Sequence, residues 1–388
     1  MNNLKQIDQQ YVAGTYNRFP VEIVSGKGSL VYDENGKEYI DMGTGIGVTG
    51  FGIADEEWVA AVTAQLNKVQ HMSNLYYTEP CALLAQEMCN RTGMAKVFFA
   101  NSGAEANECA IKVARKYAAD KKGLEYSTII TLKNSFHGRT LTTLSATGQE
   151  HYHELFQPLT PGFVHGDAGD LEGITKLALS SKAAAILIEC VQGEGGVIAM
   201  EPDFVKGLAA FCKEQDILLM VDEVQTGNGR TGQLYAYMNY GIQPDVVSTA
   251  KGLGGGLPLG AALLSEKVQN VLGFGDHGST FGGNPVCCAG ALSILQRIDE
   301  NLLAEVRRKG EYIRQQLDGA KGITGLSGMG LMVGIKTEKP AGQLVKALLD
   351  KGVLCLTAKD KVRLLPALNI PMDVLAKAID AIKEVCAE

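Results

Sequence analysis

Short aliphatic or β-branched runs recur through the middle of the chain: "AKVFFA" (95–100), "STIITL" (127–132), "AAAILIE" (183–189), "DILLMVDE" (216–223), "PDVVSTA" (244–250) and "GAALLS" (260–265). Each is too short for a stable helix and lacks apolar/polar alternation, so each reads as a strand buried on both faces. Between the first two lies "EANECAIKVARKYAADKKG". There Ala106, Cys109, Ala110, Val113, Ala114 and Tyr117 follow helical spacing, and Gly123 suits a C-terminal cap. Strand alternating with helix predicts an α/β body with a largely parallel central sheet.

The ends have a different pattern. "PVEIVSGKGSLVYDENGKEYID" holds strand-like segments around the turn "DENGK", a hairpin signal. From about residue 291, "LSILQRIDENLLAEVRRKGEYIRQQL" reads as helices, followed by short strands in "MVGIKT", "GVLCLT" and "VRLLPAL" and a final helix. The expected organisation is a large central domain over 56–290 and a smaller α+β domain built from 1–55 and 291–388. With 388 residues and 46% hydrophobic content, the chain can bury cores of this size.

The formal charge is −7 and the sequence pI about 5.5, without the basic excess of many nucleic-acid binders, so a small polar metabolite is the expected partner. No apolar run approaches the roughly 20 residues that span a bilayer, and the first residues lack a signal-peptide core, so the expected compartment is the cytoplasm, with no membrane partner. The nine cysteines contain no C-x-x-C and read as reduced, mostly buried thiols. His151 and His153 in "HYHELF" lie near no Cys or carboxylate cluster at ligand spacing, so a polar loop is expected there and no metal site.

Three segments carry chemistry. In "FFANSGAEANECAIK" a strand runs through Ser102, Gly103 and Ala104 into a helix, where small residues let backbone N–H groups approach an anion at the positive helix end. A plain Ser N-cap would look the same. The run "ILLMVDEVQTG" delivers Asp222 to the carboxyl end of a strand, the edge at which open α/β sheets gather ligands. By itself that carboxylate also suits a structural ion pair or a Mg²⁺ ligand. The next strand, "PDVVSTAK", brings Lys251 to the same edge, followed by Gly252, Gly254, Gly255 and Gly256. An anion cradle, a carboxylate and an amine on one edge match the needs of pyridoxal 5'-phosphate: a phosphate site, a partner for the pyridinium nitrogen, and a Schiff-base amine. The competing signal is "GIGVTG" at 45–50, which fits G-x-G-x-x-G and would suggest a dinucleotide-binding dehydrogenase. It follows a hairpin rather than opening a βαβ unit, and no segment fits a Walker loop.

The ordered motifs "YNRFPVEIVSGKGS", "HMSNLYYTEP", "NSGAEANECAIKVARKY", "FHGRTLTTLSATGQ", "VQGEGGV", "DEVQTGNGRTG", "STAKGLGGGLPLGA", "GDHGSTFGGNP" and "VRLLPALNI" resemble those of the class III, fold-type I aminotransferases nearly end to end. Within that class the chain is most similar to the acetylornithine-specific group. The resemblance implies that Lys251 binds the cofactor and moves the proton, and that Asp222 holds the ring nitrogen protonated. It further implies that Gln225 touches the cofactor ring, that Ser102, Gly103 and Ala104 cradle its phosphate, and that Phe136 stacks on it. Taken alone, Phe136 would read as core packing. Thr280 is implied as a phosphate contact and Ser279 as a substrate contact, both reaching the other subunit of a homodimer with shared sites.

The resemblance also assigns Arg139 to the substrate α-carboxylate and Arg363 to a second carboxylate nearer the cofactor, with Glu194 neutralising Arg363 when a long amine is bound. It implies a two-stage transfer of the δ-amino group of N2-acetylornithine to 2-oxoglutarate, as in arginine biosynthesis. Succinyldiaminopimelate, ornithine and 4-aminobutyrate are the alternative donors. Three segments depart from the family pattern: "IADEEW" follows "GVTGFG", and Cys190 and Ala367 stand where proline is common.

Overall fold

The computed structural model describes residues 4–388. Its centre is a seven-stranded sheet in the spatial order Lys96–Ala100, Gly260–Leu264, Val246–Thr249, Leu218–Asp222, Ala183–Ile188, Thr128–Leu132, Phe163–Gly166. Six of these strands are the apolar runs of the sequence, and five strands at one side of the order run parallel. Gly260–Leu264 is antiparallel to both its neighbours. Its start therefore lies at the same edge as the ends of Lys96–Ala100 and Val246–Thr249. The seventh strand, Phe163–Gly166, escapes a pattern reading because it is short, carries His165, and is only half-buried at the sheet edge.

Helices cover both faces, as a buried parallel sheet requires. Gly103–Lys122 buries Ala106, Cys109, Ala110, Val113, Ala114 and Tyr117. This is the stripe expected from the spacing, capped by Ser102 at its start and Gly123 at its end. Its face packs on Ile129, Leu187, Leu218, Val246 and Ala262, while Ile186, Leu219, Val221 and Val247 point into the core on the opposite side.

Residues from both ends of the chain form two four-stranded sheets. One contains Ile23–Lys27, Leu30–Asp33 and Glu38–Asp41 as antiparallel neighbours, then Val353–Leu354 parallel to the last, with Val353 opposite Ile40. Asp33 makes the "DENGK" turn by accepting the Asn35 and Lys37 N–H groups, with Gly36 at φ 78°. The other sheet has the order Ile323–Met329, Met332–Thr337, Lys361–Leu364, Leu356–Ala358. The run "GVLCLT" thus splits between two sheets, with Cys355 buried at the crossing. Ile323–Met329 carries two glycines and no apolar run, and the sequence reading passes over it.

"GIGVTG" does not open a βαβ unit. It follows strand Glu38–Asp41 as one helical turn, Thr44–Gly47, with Gly45 and Ile46 in the left-handed region at φ 62° and 67°. A single turn between strand Glu38–Asp41 and helix Glu56–Leu66 is not the strand-to-helix opening of a βαβ unit, so the dinucleotide reading loses its structural basis. All nine cysteines are free thiols, seven of them buried. Among the described residues there is no cluster that could hold a metal ion, and no helix long and apolar enough to cross a membrane.

Candidate active site

The carboxyl ends of three strands and their loops enclose a cavity of about 450 Å³. Lys96–Ala100 ends in the first wall: Ser102 caps the helix through Glu105 N–H, and Gly103 and Ala104 open the helix toward the cavity. A Cβ at Gly103 would lie 2.6 Å from Val224 Cγ1, so only glycine lets the helix start come this close to the Asp222 loop. The first-turn residues Gly103 and Ala104, at the positive end of the helix, line the cavity, and a helix start of this kind suits an anion.

Leu218–Asp222 supplies the second wall. Asp222 is buried, its Oδ2 accepting Asn107 Nδ2 at 2.7 Å and paired with His137 Nδ1 at 2.8 Å, and its Oδ1 accepting Val224 N–H at 3.0 Å. His137 Nε2 has no partner, so the imidazole proton sits on Nδ1, where the carboxylate receives it. Three donors hold the carboxylate in place at the cavity wall. A cationic ring N–H would complete its coordination.

Val246–Thr249 supplies the third wall through Lys251, which adopts φ 47°, a left-handed conformation that is costly outside glycine and is concentrated at functional sites. Burial pulls the Lys251 amine below its ordinary range; Glu194 opposes this and Arg363 adds to it. A larger neutral fraction makes the amine a better nucleophile and base.

Two further groups shape the cavity. Glu189, at the end of strand Ala183–Ile188, accepts Phe136 N–H at 3.0 Å, and burial pushes its carboxyl up to about 7. Glu194 pairs with Arg363 Nη1 at 2.6 Å, and the same Nη1 donates to Gln225 Oε1 at 3.1 Å. Burial by itself would raise Glu194, but Arg363, helped by Lys251 and Gln225, holds the carboxyl below its ordinary value. Opposite, the exposed Arg139 lies 4.4 Å from the Tyr152 ring centroid and 5.5 Å from that of Phe136, with no carboxylate partner among the described residues.

The cavity is therefore lined by Lys251, Asp222, Ser102, Gly103, Ala104, Phe136, Arg139, Glu194 and Gln225, all singled out from the sequence. Arg363 stands behind Glu194 and Gln225 and is 3% exposed. Ser279 and Thr280 are not part of this chain's own cavity. Ser279 Oγ bonds Asn101 Nδ2 and Gly282 N–H, and Thr280 is exposed. The sequence reading passed over Asn107, His137 and Glu189. Their only signal is position: His137 and Glu189 adjoin a strand end or a motif residue, and Asn107 lies one turn into the cradle helix.

Glycine at the cradle, a three-donor carboxylate and a buried amine fit pyridoxal 5'-phosphate. The profile of the family described as Aminotransferase class-III matches residues 11–386.

The chain is a class III aminotransferase.

Its curated relatives include acetylornithine aminotransferase of Haemophilus ducreyi, 48% identical over 100% of this chain and 99% of that protein. The protein of the same name from Methanocaldococcus jannaschii is 42% identical over 100% of this chain and 98% of its own length. Among solved structures, ornithine aminotransferase of Toxoplasma gondii superposes with a TM-score of 0.94 at 31% identity, covering 99% of this chain and 94% of that one. That enzyme has been seen with partial occupancy of PLP at its active site. N-acetylornithine aminotransferase of Stenotrophomonas maltophilia gives 0.85 at 32% identity, covering 98% of each chain. The fold is that of the fold-type I transferases, the cofactor of the class is pyridoxal 5'-phosphate, and the dehydrogenase alternative is overturned.

Proposed function

We propose that this class III aminotransferase moves the δ-amino group of N2-acetyl-L-ornithine to 2-oxoglutarate, giving N-acetyl-L-glutamate 5-semialdehyde and L-glutamate. The observation that carries the reading is a pair of arginines in contrasting settings at one site: Arg139 lines the cavity with no acidic partner among the described residues, and Arg363 is paired with Glu194, which lines the same cavity as Lys251. Bound pyridoxal phosphate supplies an aldehyde for the amino group and a ring that takes up the electron pair of the carbon beside it. Everything else falls to the chain. Arg139 holds the donor's α-carboxylate at the far end, so that the terminal amine reaches the Lys251 end. Lys251 Nζ takes the proton from the amine-bearing carbon and delivers it to the carbon on the other side of the reacting nitrogen. Asp222, held in place by Asn107, His137 and Val224 N–H, keeps a proton on the facing nitrogen.

The acceptor must present its reacting centre beside its own carboxylate, and Arg363 lies near enough to take that group once Glu194 withdraws. With a long amine bound, Glu194 stays on Arg363, and no carboxylate is drawn to the wrong place. Thr280 and Ser279 serve a neighbouring copy in a homodimer, which accounts for their absence from this chain's cavity. The chain divides into a cofactor-binding domain over 56–290 and a smaller domain from 1–55 and 291–388.

The acetylated donor is preferred over free ornithine because relatives named for it are 40–48% identical over nearly the full chain. The higher TM-score to an ornithine aminotransferase carries less weight, since backbone superposition does not report the side chains that read an acyl group. The test is kcat/KM with 2-oxoglutarate for acetylornithine, ornithine, succinyldiaminopimelate and 4-aminobutyrate. Acetylornithine is expected to lead, and a lead for any other donor would overturn the donor assignment.

A further inference from the structure

Arg230 is a fully buried cation that the chemistry above leaves unused. It lies in the loop after Asp222, is 3% exposed, and forms no ion pair among the described residues. Its Nη1 donates to the carbonyls of Leu331 at 3.2 Å and Pro366 at 2.5 Å, while its own carbonyl accepts Leu331 N–H at 3.0 Å. A buried charge without a carboxylate is costly, and burial drags this guanidinium down to about 10. An apolar side chain could fill the volume. It could not satisfy two carbonyls at once.

Those carbonyls belong to two paired strands. Leu331 precedes Met332–Thr337 and Pro366 follows Lys361–Leu364, and in their register Gly334 stands opposite Arg363. Arg230 thus ties together both strands at one end of the ribbon that carries Arg363. It clamps that ribbon to the loop that carries Gln225, the acceptor of Arg363 Nη1. Gly330 shows how tightly loop and ribbon meet, since a Cβ there would lie 2.8 Å from the Arg230 carbonyl oxygen. A further tie, Arg307 Nη1 to Gly232 O at 2.6 Å, holds the same loop just past Arg230. Arg139 lies on a separate segment that none of these bonds touches.

We propose that Arg230 is a positioning residue for the acceptor: by binding Leu331 and Pro366 it sets where Arg363 meets a dicarboxylate's α-carboxylate, and it leaves the donor's grip on Arg139 untouched. This rests on the reading that Arg363 takes the acceptor carboxylate. The two claims are separated by measuring the holoenzyme's Kd for glutarate, an unreactive dicarboxylate, alongside KM for 2-oxoglutarate and for acetylornithine.

Arg230→Met keeps the length and removes both donors, and Arg230→Lys keeps the charge but loses the planar fork. Arg230→Met is expected to weaken glutarate by about tenfold and to raise the 2-oxoglutarate KM alike, with Arg230→Lys intermediate and the donor KM held within about twofold. Added to Arg363→Lys, Arg230→Met should cost less than about twofold more, because both act on one contact. Glutarate affinity within about twofold of wild type in both variants, or a donor KM that rises as far as the acceptor's, would overturn the inference. If Arg230→Met fails to fold, Arg230→Lys at a matched melting temperature decides by the same ratio. An Arg363→Lys enzyme with unaltered glutarate affinity would instead sink the underlying reading of Arg363.

Discussion

Replacing Glu194 by Gln should shift the enzyme toward its dicarboxylate half-reaction by a predictable amount. Glu194 Oε1 sits 2.6 Å from Arg363 Nη1, with the arginine side chain 3% exposed and the carboxylate 27% exposed. A charged hydrogen bond in such a place nets about 1.5–3 kcal/mol, and a neutral one about 1 kcal/mol. Glutamine keeps an oxygen where the carboxylate oxygen was, so the variant loses the difference, roughly 0.5–2 kcal/mol. That energy is what an incoming carboxylate must overcome to take Arg363. Its removal predicts a KM for 2-oxoglutarate lower by more than twofold and by up to about 30-fold. The donor half-reaction does not require displacing Glu194, so its kcat/KM should stay flat or fall as the donor's own carboxylate strays to Arg363. Single-turnover absorbance changes of the holoenzyme with glutamate and with acetylornithine, recorded separately, give the ratio. If that ratio stays within about twofold of wild type, Glu194 does not gate Arg363 and the account of dual recognition is wrong.

Other outcomes follow from the same geometry. Gly103→Ala forces a methyl onto Val224 and should cost about 1–3 kcal/mol of cofactor affinity, read as a 5–150-fold weaker Kd in a fluorescence titration of apoprotein. Lys251→Ala should abolish the borohydride-fixed cofactor adduct on the peptide containing this residue, seen by mass spectrometry. Burial raises the Glu189 carboxyl from 4.5 to about 7, so between those values the folded apoprotein holds a proton that the unfolded chain has lost, and stability falls as pH rises. Glu189→Gln removes that slope, and its melting temperature minus that of wild type should grow more positive from pH 5 to pH 8. Mixing Thr280→Ala and Lys251→Ala subunits should restore activity in the heterodimer, because one site then receives an intact lysine and an intact partner threonine; no recovery would refute shared sites.

The parts of the site that were legible in the sequence are those whose chemistry and place in the chain coincide. Lys251, Asp222 and Gly103 each follow a buried strand, and parallel strands deliver their ends to one edge, so reading the strands meant reading the site. Asn107, His137 and Glu189 were not legible, since their roles come from contacts across the sheet. Asn107 and His137 lie 115 and 85 residues from Asp222 along the chain. Arg363 became visible only through the family resemblance, because nothing local in "KVRLLPAL" distinguishes a buried guanidinium from a surface one. The strand Ile323–Met329 was missed because its two glycines and half-buried side chains make no apolar run or alternation to announce it.

The pairing of Ile40 with Val353 has a consequence for how the molecule is made. Residues 38–41 leave the ribosome long before 353–354 exist, so the sheet they share has an unsatisfied edge for most of synthesis. The contact spans over three hundred residues of chain, and its loop-closure cost falls due only when the rest has ordered. The central sheet, all of whose strands lie between residues 96 and 264, can form first and serve as the platform on which both ends meet. A nascent chain stalled before residue 353 would carry a completed cofactor cradle beside an open β edge, a template for pairing with other copies. The two ends of this polypeptide are therefore each other's chaperone.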